Sequence, residues 1–315
     1  MAKAYVFPGQ GSQELGMGKV FYDNFAAARA TFQEVDDALN LKLSAIIFGD
    51  DLSKLTLTEN AQPAIMATSM AILRTLEHET GLDVAGAKFV AGHSLGEYSA
   101  LCAAKAISLR DTAVLLRLRG LSMQQATPQG TGLMAAIIGL PLAKIEDILQ
   151  HINGSHNKGV CEIANDNSDG QTVISGDVQT VQQAMELCKE AGAKRALELN
   201  VSAPFHCSLM ASAAEKMAEA LANVQLQKPV TNVICNVTAQ GENDVARIKQ
   251  LLVEQVTGRV RWRESVEYMV QNNVDNITEI GHGAVLTGLC KRINKDINCM
   301  NINNIEAIEK MVKAA

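Results

Sequence analysis

Residues 88–96 read Lys-Phe-Val-Ala-Gly-His-Ser-Leu-Gly, a short apolar run that leads into a glycine-flanked serine. The G-x-S-x-G spacing, between a predicted strand and a predicted helix, is typical of a serine exposed on a tight turn. The small glycines leave the Ser94 hydroxyl accessible, and N–H groups at the helix N-terminus can stabilise an oxyanion. Because this spacing often arises by chance, a tight turn without chemistry is the competing interpretation.

On both sides of this turn, apolar strands alternate with helical segments. Residues 4–7 form another buried strand candidate, which ends at Pro8-Gly9 and a glycine-rich loop. Apolar residues recur at helical spacing over 60–80, and 100–104 and 111–125 also have a helical pattern. This alternation predicts a mainly parallel sheet covered by helices, so we expect a large α/β-hydrolase-like domain.

The middle of the chain has a different pattern, β-α-β-β-α-β, which is the order of a ferredoxin-like unit. The Asn-, Asp- and Gly-rich residues 165–170 are predicted to form the turn between the two central strands. We therefore predict a small α+β subdomain over residues 128–199, inserted into a large catalytic domain made of residues 1–127 and 200–315.

Composition favours a globular protein of the reducing cytoplasm. Hydrophobic residues make up 47% of the 315 residues, and the formal net charge of −6 disfavours a general nucleic-acid binder. Seven scattered cysteines contain no C-x-x-C pair, so neither a disulfide framework nor a structural zinc site is expected. The N-terminal residues show no signal-peptide pattern, and no long apolar run predicts a membrane span. We expect a cytoplasmic location.

A serine nucleophile needs a base, and the chain contains six histidines. His206 lies in a loop between a predicted strand and a predicted helix, where α/β proteins build their sites. His93 adjoins the serine on the turn and should point away from it. Charged or Gly- and Asn-rich surroundings suggest exposure of His78, His151 and His156. His206 is therefore the favoured base.

Several further motifs occur in a fixed order along nearly the whole chain. They are Phe7-Pro8-Gly9-Gln10-Gly11-Ser12-Gln13, Thr58-Glu59-Asn60-Ala61-Gln62-Pro63-Ala64, Gly92-His93-Ser94-Leu95-Gly96-Glu97, Arg119-Gly120 with Met123, Pro204-Phe205-His206, Val260-Arg261-Trp262 and Val285-Leu286-Thr287-Gly288-Leu289. Each is weak alone, but their order is specific. The chain resembles the malonyl-CoA:acyl carrier protein transacylases of fatty acid synthesis, which are related to the acyltransferase domains of polyketide synthases.

The resemblance implies roles for particular residues. Ser94 is expected to be the nucleophile and His206 its base. The backbone N–H groups of Gln10 and Leu95 are expected to form the oxyanion hole. Arg119 is expected to bind the malonyl carboxylate; from composition alone it would be an ordinary solvated helix charge.

Further positions are also implied by the resemblance. The backbone carbonyl of Gln255 is expected to orient the histidine, in place of a triad aspartate. Acyl-pocket positions are implied for Met123, Asn165, Asn167 and Phe205. His282 departs from the family pattern, which commonly has proline there. Either it is a loop substitution of little effect, or it adds a second titrating group near the site.

The implied activity is transfer of a malonyl group from malonyl-CoA to the phosphopantetheine thiol of an acyl carrier protein, through a malonyl-serine ester. The expected partners are malonyl-CoA and the acyl carrier protein, without nucleic acid or membrane. No permanently bound cofactor and no metal are expected, and the coenzyme A thioester is a substrate.

Three other classes of function compete with this interpretation. A serine esterase or thioesterase would use the same Ser94–His206 pair but would not need Arg119. A dinucleotide-binding protein would carry the fingerprint G-x-G-x-x-G, whose third glycine would fall at residue 14. This chain has Glu14 there. A non-catalytic interaction module would tolerate the loss of Ser94.

Overall fold

The fold is described from a computed structural model, for residues 2–154 and 159–314. His156 therefore lies outside the described residues. The strands in these ranges are β1 (Ala2–Phe7), β2 (Phe89–Gly92), β3 (Gly132–Ile138), β4 (Cys161–Ser168), β5 (Gln171–Asp177), β6 (Arg195–Glu198), β7 (Asn232–Cys235), β8 (Gln240–Glu242), β9 (Val274–Ile280) and β10 (Asn298–Ile302).

The helices surround these strands and vary from one turn to six turns in length. They are α1 (Lys19–Asn24), α2 (Ala26–Leu39), α3 (Leu43–Ile47), α4 (Leu52–Thr56), α5 (Thr58–Thr80), α6 (Leu95–Ala103), α7 (Leu109–Gln125), α8 (Leu142–Gly154), α9 (Val178–Glu190), α10 (Ala211–Asn223), α11 (Val245–Thr257), α12 (Trp262–Gln271), α13 (Val285–Ile293) and α14 (Ile305–Ala314). None of the described helices is long and apolar enough to cross a membrane.

The main sheet has six strands in the order β10-β9-β1-β2-β7-β8. Its first five strands are parallel, and β8 pairs antiparallel with β7 at one edge. The prediction of an α/β protein built on a parallel sheet is confirmed, whereas its classification as α/β-hydrolase-like stays a prediction. The carboxyl ends of β1 and β2 are level, because Phe7 pairs with Gly92. The loops that follow these two strands therefore lie side by side.

Both faces of the main sheet are buried, as expected for parallel strands covered by helices. Successive residues of β1 alternate between two apolar clusters. Tyr5 and Phe7 pack in the larger cluster, which includes the central helix α5, while Ala4 and Val6 pack against α12 and α13. The sheet is thus a rigid central layer whose carboxyl edge carries loops.

The second sheet has four antiparallel strands in the order β4-β5-β3-β6. Its elements follow one another as β3-α8-β4-β5-α9-β6, which is the predicted order. The ferredoxin-like classification and the domain boundaries at 127/128 and 199/200 stay predictions. Ala135 and Ile137 of β3 pack against α8 and α9, whereas Met134 faces the larger cluster of the main sheet.

The predicted turn over residues 165–170 is wrong, because β4 continues to Ser168 and only Asp169 and Gly170 connect it to β5. Asp166 in this segment is buried, and both its backbone and its side chain have partners. The Asp166 N–H donates to the Val260 carbonyl at 2.9 Å, and the Asp166 carboxylate pairs with Arg263 at 2.9 Å. The pairing register also shifts twice here, as at the β-bulges that often adjoin functional sites.

Helices α5 and α7 pack so closely that Gly120 has no room for a side chain. An ideal Cβ at this position would lie 2.5 Å from the Thr58 carbonyl oxygen. We expect Gly120→Ala to lower the free energy of unfolding by about 1–3 kcal/mol, because the two helices must separate. The midpoint of urea denaturation measures this change.

The matched control is Gly288→Ala in α13, where no atom lies within 4 Å of an added Cβ. Alanine favours the helix over glycine, so this variant should gain about 0.5–1 kcal/mol of stability. Equal denaturation midpoints for the two variants would contradict the close α5–α7 packing.

Candidate active site

Ser94 lies on the turn between β2 and α6, at φ 54° and ψ −112°, a conformation rare for residues other than glycine. The flanking glycines are required by close packing. A Cβ at Gly92 would lie 1.9 Å from Gly96, and a Cβ at Gly96 would lie 2.3 Å from the Phe7 carbonyl oxygen. The turn therefore packs closely against the end of β1, which keeps the Ser94 side chain in a fixed position.

The side-chain amide of Asn236 holds this turn. The Ser94 N–H donates to Asn236 Oδ1 at 2.7 Å, and Asn236 Nδ2 donates to the Gly92 carbonyl at 2.7 Å. Asn236 directly follows β7, the strand beside β2, so its amide continues the pairing beyond the strand ends. Sequence reasoning missed Asn236. The available signal was a polar residue directly after a buried strand, at the edge where parallel sheets place their sites.

The imidazole of His206 is bonded on both sides. Ser94 Oγ lies 2.7 Å from Nε2, and Nδ1 lies 2.9 Å from the Gln255 carbonyl and 3.2 Å from the Gly258 carbonyl. Two carbonyl acceptors require Nδ1 to carry the hydrogen, so Nε2 is free to accept the Ser94 hydroxyl proton. His206 also has a positive φ of 60°. The predicted nucleophile and base are in contact, and main-chain carbonyls orient the ring.

The surroundings keep His206 neutral. Burial, followed by the positive charge of Arg119, lowers the pKa of the imidazole to about 3. Above that pH the ring is in the form that accepts a proton. The neutral ring is the protonation state that a general base requires.

Arg119 reaches the same point from α7 and is only 1% exposed. Its guanidinium donates to Ser94 Oγ at 3.1 Å, to Gln62 Oε1 at 2.9 Å and to Gln255 Oε1 at 2.9 Å. Burial lowers the pKa of Arg119. Among residues 2–154 and 159–314, no carboxylate lies within 4.0 Å of the guanidinium. A buried cation with neutral acceptors beside a nucleophile is suited to bind an anionic group of a substrate.

A cavity of about 310 Å³ opens onto these three residues. Its lining includes four other predicted site residues: Gln10, Met123, Asn165 and Phe205. Leu95 is the first residue of α6, so its N–H belongs to the first turn of the helix, which has no intrahelical acceptors. Its N–H is therefore available beside Ser94.

Asn167 and His282 lie apart from this cavity. Asn167 lines a neighbouring cavity of about 240 Å³. Its Oδ1 lies 2.8 Å from Nε2 of His93, so the His93 ring is hydrogen-bonded to Asn167 and not to Ser94. His282 pairs with Glu14 at 2.8 Å and does not line either cavity.

The chain matches known proteins over its whole length. Residues 4–243 match the acyl transferase domain family. A malonyl CoA-acyl carrier protein transacylase of Bacillus subtilis (strain 168) is 43% identical over 310 residues, covering 98% of this chain and 96% of the relative. The enzyme of the same name from Escherichia coli (strain K12) is 41% identical over 305 residues, covering 97% of each chain.

Solved structures show the same likeness. The crystal structure of an acyl-carrier-protein-S-malonyltransferase from Bartonella henselae is 53% identical, with a TM-score of 0.96 over 100% of this chain and 99% of that chain. A second structure contains a type II polyketide-synthase acyl carrier protein in complex with its malonyl-transacylase. It is 39% identical, with a TM-score of 0.95 over 100% of both chains.

The pKa of His206 generates a prediction about Ser94 reactivity. A base with the ordinary pKa of about 6.5 would lose roughly 30-fold of its neutral form between pH 8 and pH 5. Because His206 stays neutral over this range, labelling of Ser94 by an alkyl fluorophosphonate should change by less than about threefold. The labelling rate is measured by intact-protein mass spectrometry.

The control is His206→Ala, which should slow labelling by about 100-fold or more at every pH. A wild-type rate that falls along a titration curve centred near pH 6.5 would show that the ring protonates as an exposed histidine does.

Proposed function

Because this chain belongs to the acyl transferase domain family, among its malonyl CoA-acyl carrier protein transacylases, we propose that it transfers a malonyl group from malonyl-CoA to an acyl carrier protein through an ester on Ser94. The observation that carries this proposal is the buried guanidinium of Arg119, 3.1 Å from Ser94 Oγ and paired only with neutral side chains. An esterase for neutral acyl groups has no need of such a cation.

The geometry favours a short acyl group with a terminal carboxylate. In a malonyl ester, a single CH₂ separates the carboxylate from the ester carbonyl that is attached to Oγ. A guanidinium within hydrogen-bond distance of Oγ can therefore also contact the carboxylate of so short an acyl group. Its planar fork suits two parallel bonds to a carboxylate. Acetyl offers no charge for Arg119 to bind.

The first half-reaction forms the ester. His206 Nε2 accepts the Ser94 proton as Oγ attacks the thioester carbonyl, and the N–H groups of Gln10 and Leu95 stabilise the oxyanion. The C–S bond then breaks, His206 returns the proton to the departing sulfur, and coenzyme A leaves. Malonyl-Ser94 remains, with its carboxylate on Arg119.

The second half-reaction reverses these roles. The phosphopantetheine thiol of the carrier protein gives its proton to His206 and attacks the ester carbonyl. The C–O bond to Ser94 breaks, and Oγ recovers the proton from His206. Two chemical steps with one intermediate give ping-pong kinetics. No permanently bound cofactor enters either step, because the coenzyme A thioester itself supplies the activated acyl group.

An acyl carrier protein is the proposed acceptor, in fatty acid or polyketide synthesis. A similar malonyl-transacylase has been solved together with its acyl carrier protein, which supports this assignment. A thioesterase with the same Ser94–His206 pair would pass the acyl group to water instead. The fate of the isolated malonyl-Ser94 ester distinguishes the two: it should persist in buffer and discharge rapidly when carrier thiol is added.

The test of malonyl recognition is Arg119→Ala. Truncating one partner of a buried charge pair costs roughly 2–5 kcal/mol, so acylation of Ser94 from malonyl-CoA should fall roughly 30- to several-thousand-fold. Acylation from acetyl-CoA should be spared or should rise, because no carboxylate loses its partner. Rapid-quench mass spectrometry of the acylated protein measures both rates.

Arg117→Ala is the matched control on the same helix. Arg117 pairs at the surface of α7 with Glu59 and is 32% exposed, so its loss should leave the ratio of the two rates unchanged. Equal losses from malonyl-CoA and acetyl-CoA in Arg119→Ala would mean that Arg119 supports the fold or the coenzyme A, and malonyl recognition would have to be assigned elsewhere.

A further inference from the structure

The buried carboxyl group of Glu97 has no part in the two half-reactions, yet it contacts both sides of the site. It lies in the first turn of α6 and is 1% exposed. Its Oε2 accepts the backbone N–H of Asn236 at 2.9 Å and the side-chain amide of Gln255 at 2.7 Å. Asn236 in turn holds the Ser94 turn. A single hydrogen bond therefore connects Glu97 to Asn236, the residue that positions the nucleophile.

The side-chain amide of Gln255 also connects Glu97 to Arg119. The Gln255 side chain accepts from Arg119 at 2.9 Å through Oε1 and donates to Glu97 at 2.7 Å through Nε2. The guanidinium and the carboxyl group are thus joined through a neutral amide that is itself 0% exposed. Both groups are buried, so solvent screens the interaction between their charges less than it would at the surface.

We propose that Glu97 is the counter-charge of Arg119, transmitted through the Gln255 amide, and that its protonation state sets the preference of the site for malonyl over acetyl. This inference rests on the proposed function of Arg119 as the carboxylate-binding residue. Glu97 does not touch the substrate and is a positioning residue. Its negative charge stabilises the buried guanidinium in the empty site, while the amide between them leaves the guanidinium free for the carboxylate of the substrate.

The consequence is a link between malonyl binding and a proton. Burial raises the Glu97 pKa to about 7, whereas hydrogen bonds from Asn236, Gln255 and the Cys235 thiol lower it, and the charge of Arg119 lowers it by a smaller amount. Tyr98, the next residue of α6, also interacts electrostatically with Glu97. When the malonyl carboxylate pairs with Arg119, the guanidinium no longer stabilises the Glu97 carboxylate, and Glu97 binds a proton more readily. Malonyl is therefore favoured below the pKa of the free site and disfavoured as pH rises through it.

The experiment measures the ratio of kcat/KM for Ser94 acylation from malonyl-CoA and from acetyl-CoA between pH 6 and pH 8.5. Titration of the coenzyme A phosphates affects both substrates equally and cancels in the ratio, and His206 stays neutral over this pH range. In the wild type the ratio should fall about fivefold or more with rising pH, the lower end of typical coupling between two sites.

Glu97→Gln is the matched variant, because its amide oxygen can accept the same two bonds while the charge is absent. Its ratio should be independent of pH and, at pH 8.5, about fivefold or more above the wild-type ratio. If Glu97 serves only as a hydrogen-bond acceptor, the variant will reproduce the falling wild-type ratio, and the proposal is overturned. A wild-type ratio that does not change with pH overturns it equally.

A second measurement does not depend on the folding of the Glu97 variant. Ser94→Ala binds both thioesters without being acylated, and calorimetry in buffers of different ionisation enthalpy counts the protons taken up. At pH 7.5, malonyl-CoA should take up more protons than acetyl-CoA. Equal proton numbers would refute the link between the two sites.

Failure of this inference is separable from failure of the proposed function. If Arg119→Ala abolishes the malonyl preference but Glu97→Gln leaves its pH dependence intact, Arg119 still recognises the carboxylate and only the role of Glu97 is wrong. If Arg119→Ala leaves the malonyl preference intact, the proposed function itself fails.

Discussion

The hydrogen bond from the Ser94 N–H to the Asn236 side chain holds Ser94 in place, and the rest of the site depends on the position of Ser94. Ser94 and His206 both have positive φ angles, and each such conformation costs on the order of 1–3 kcal/mol unless its surroundings impose it. The main sheet supplies those surroundings. Strands β2 and β7 are neighbours, so the residues that follow them meet at one edge. The Ser94 hydroxyl is thereby held 2.7 Å from His206 Nε2.

The charge of Arg119 acts on more than one residue. Because the guanidinium is buried, its field is weakly screened, and it contributes to the low pKa of His206 as well as facing the acyl pocket. Burial lowers the His206 pKa most and this cation lowers it further, while the same guanidinium lies 3.1 Å from Ser94 Oγ. Its acceptors, Gln62 and Gln255, are amides. A carboxylate in either position would form a permanent ion pair with the guanidinium.

Much of this arrangement was predictable from local patterns. The strand, turn and helix around Ser94 follow from apolar runs and glycines, and the loop position of His206 singled it out among the histidines. The error at 165–170 shows the limit of local patterns: Asn and Asp indicate a turn in isolation, but Asp166 and Asn167 are buried in a strand because Arg263 and His93 bind them. Asn236, Glu97 and the Gln255 side chain reach the site through contacts between distant segments, which spacing along the chain cannot reveal.

The position of His206 depends on the second sheet as much as on the first. The residues that lead to it follow β6, and the backbone that orients its ring belongs to α11 and the loop after it. Glu162 of β4 accepts the Ser208 N–H at 3.0 Å and the Ser208 hydroxyl at 2.6 Å, which ties the chain just beyond His206 to the second sheet. A shift of this sheet would thus move His206 relative to Ser94.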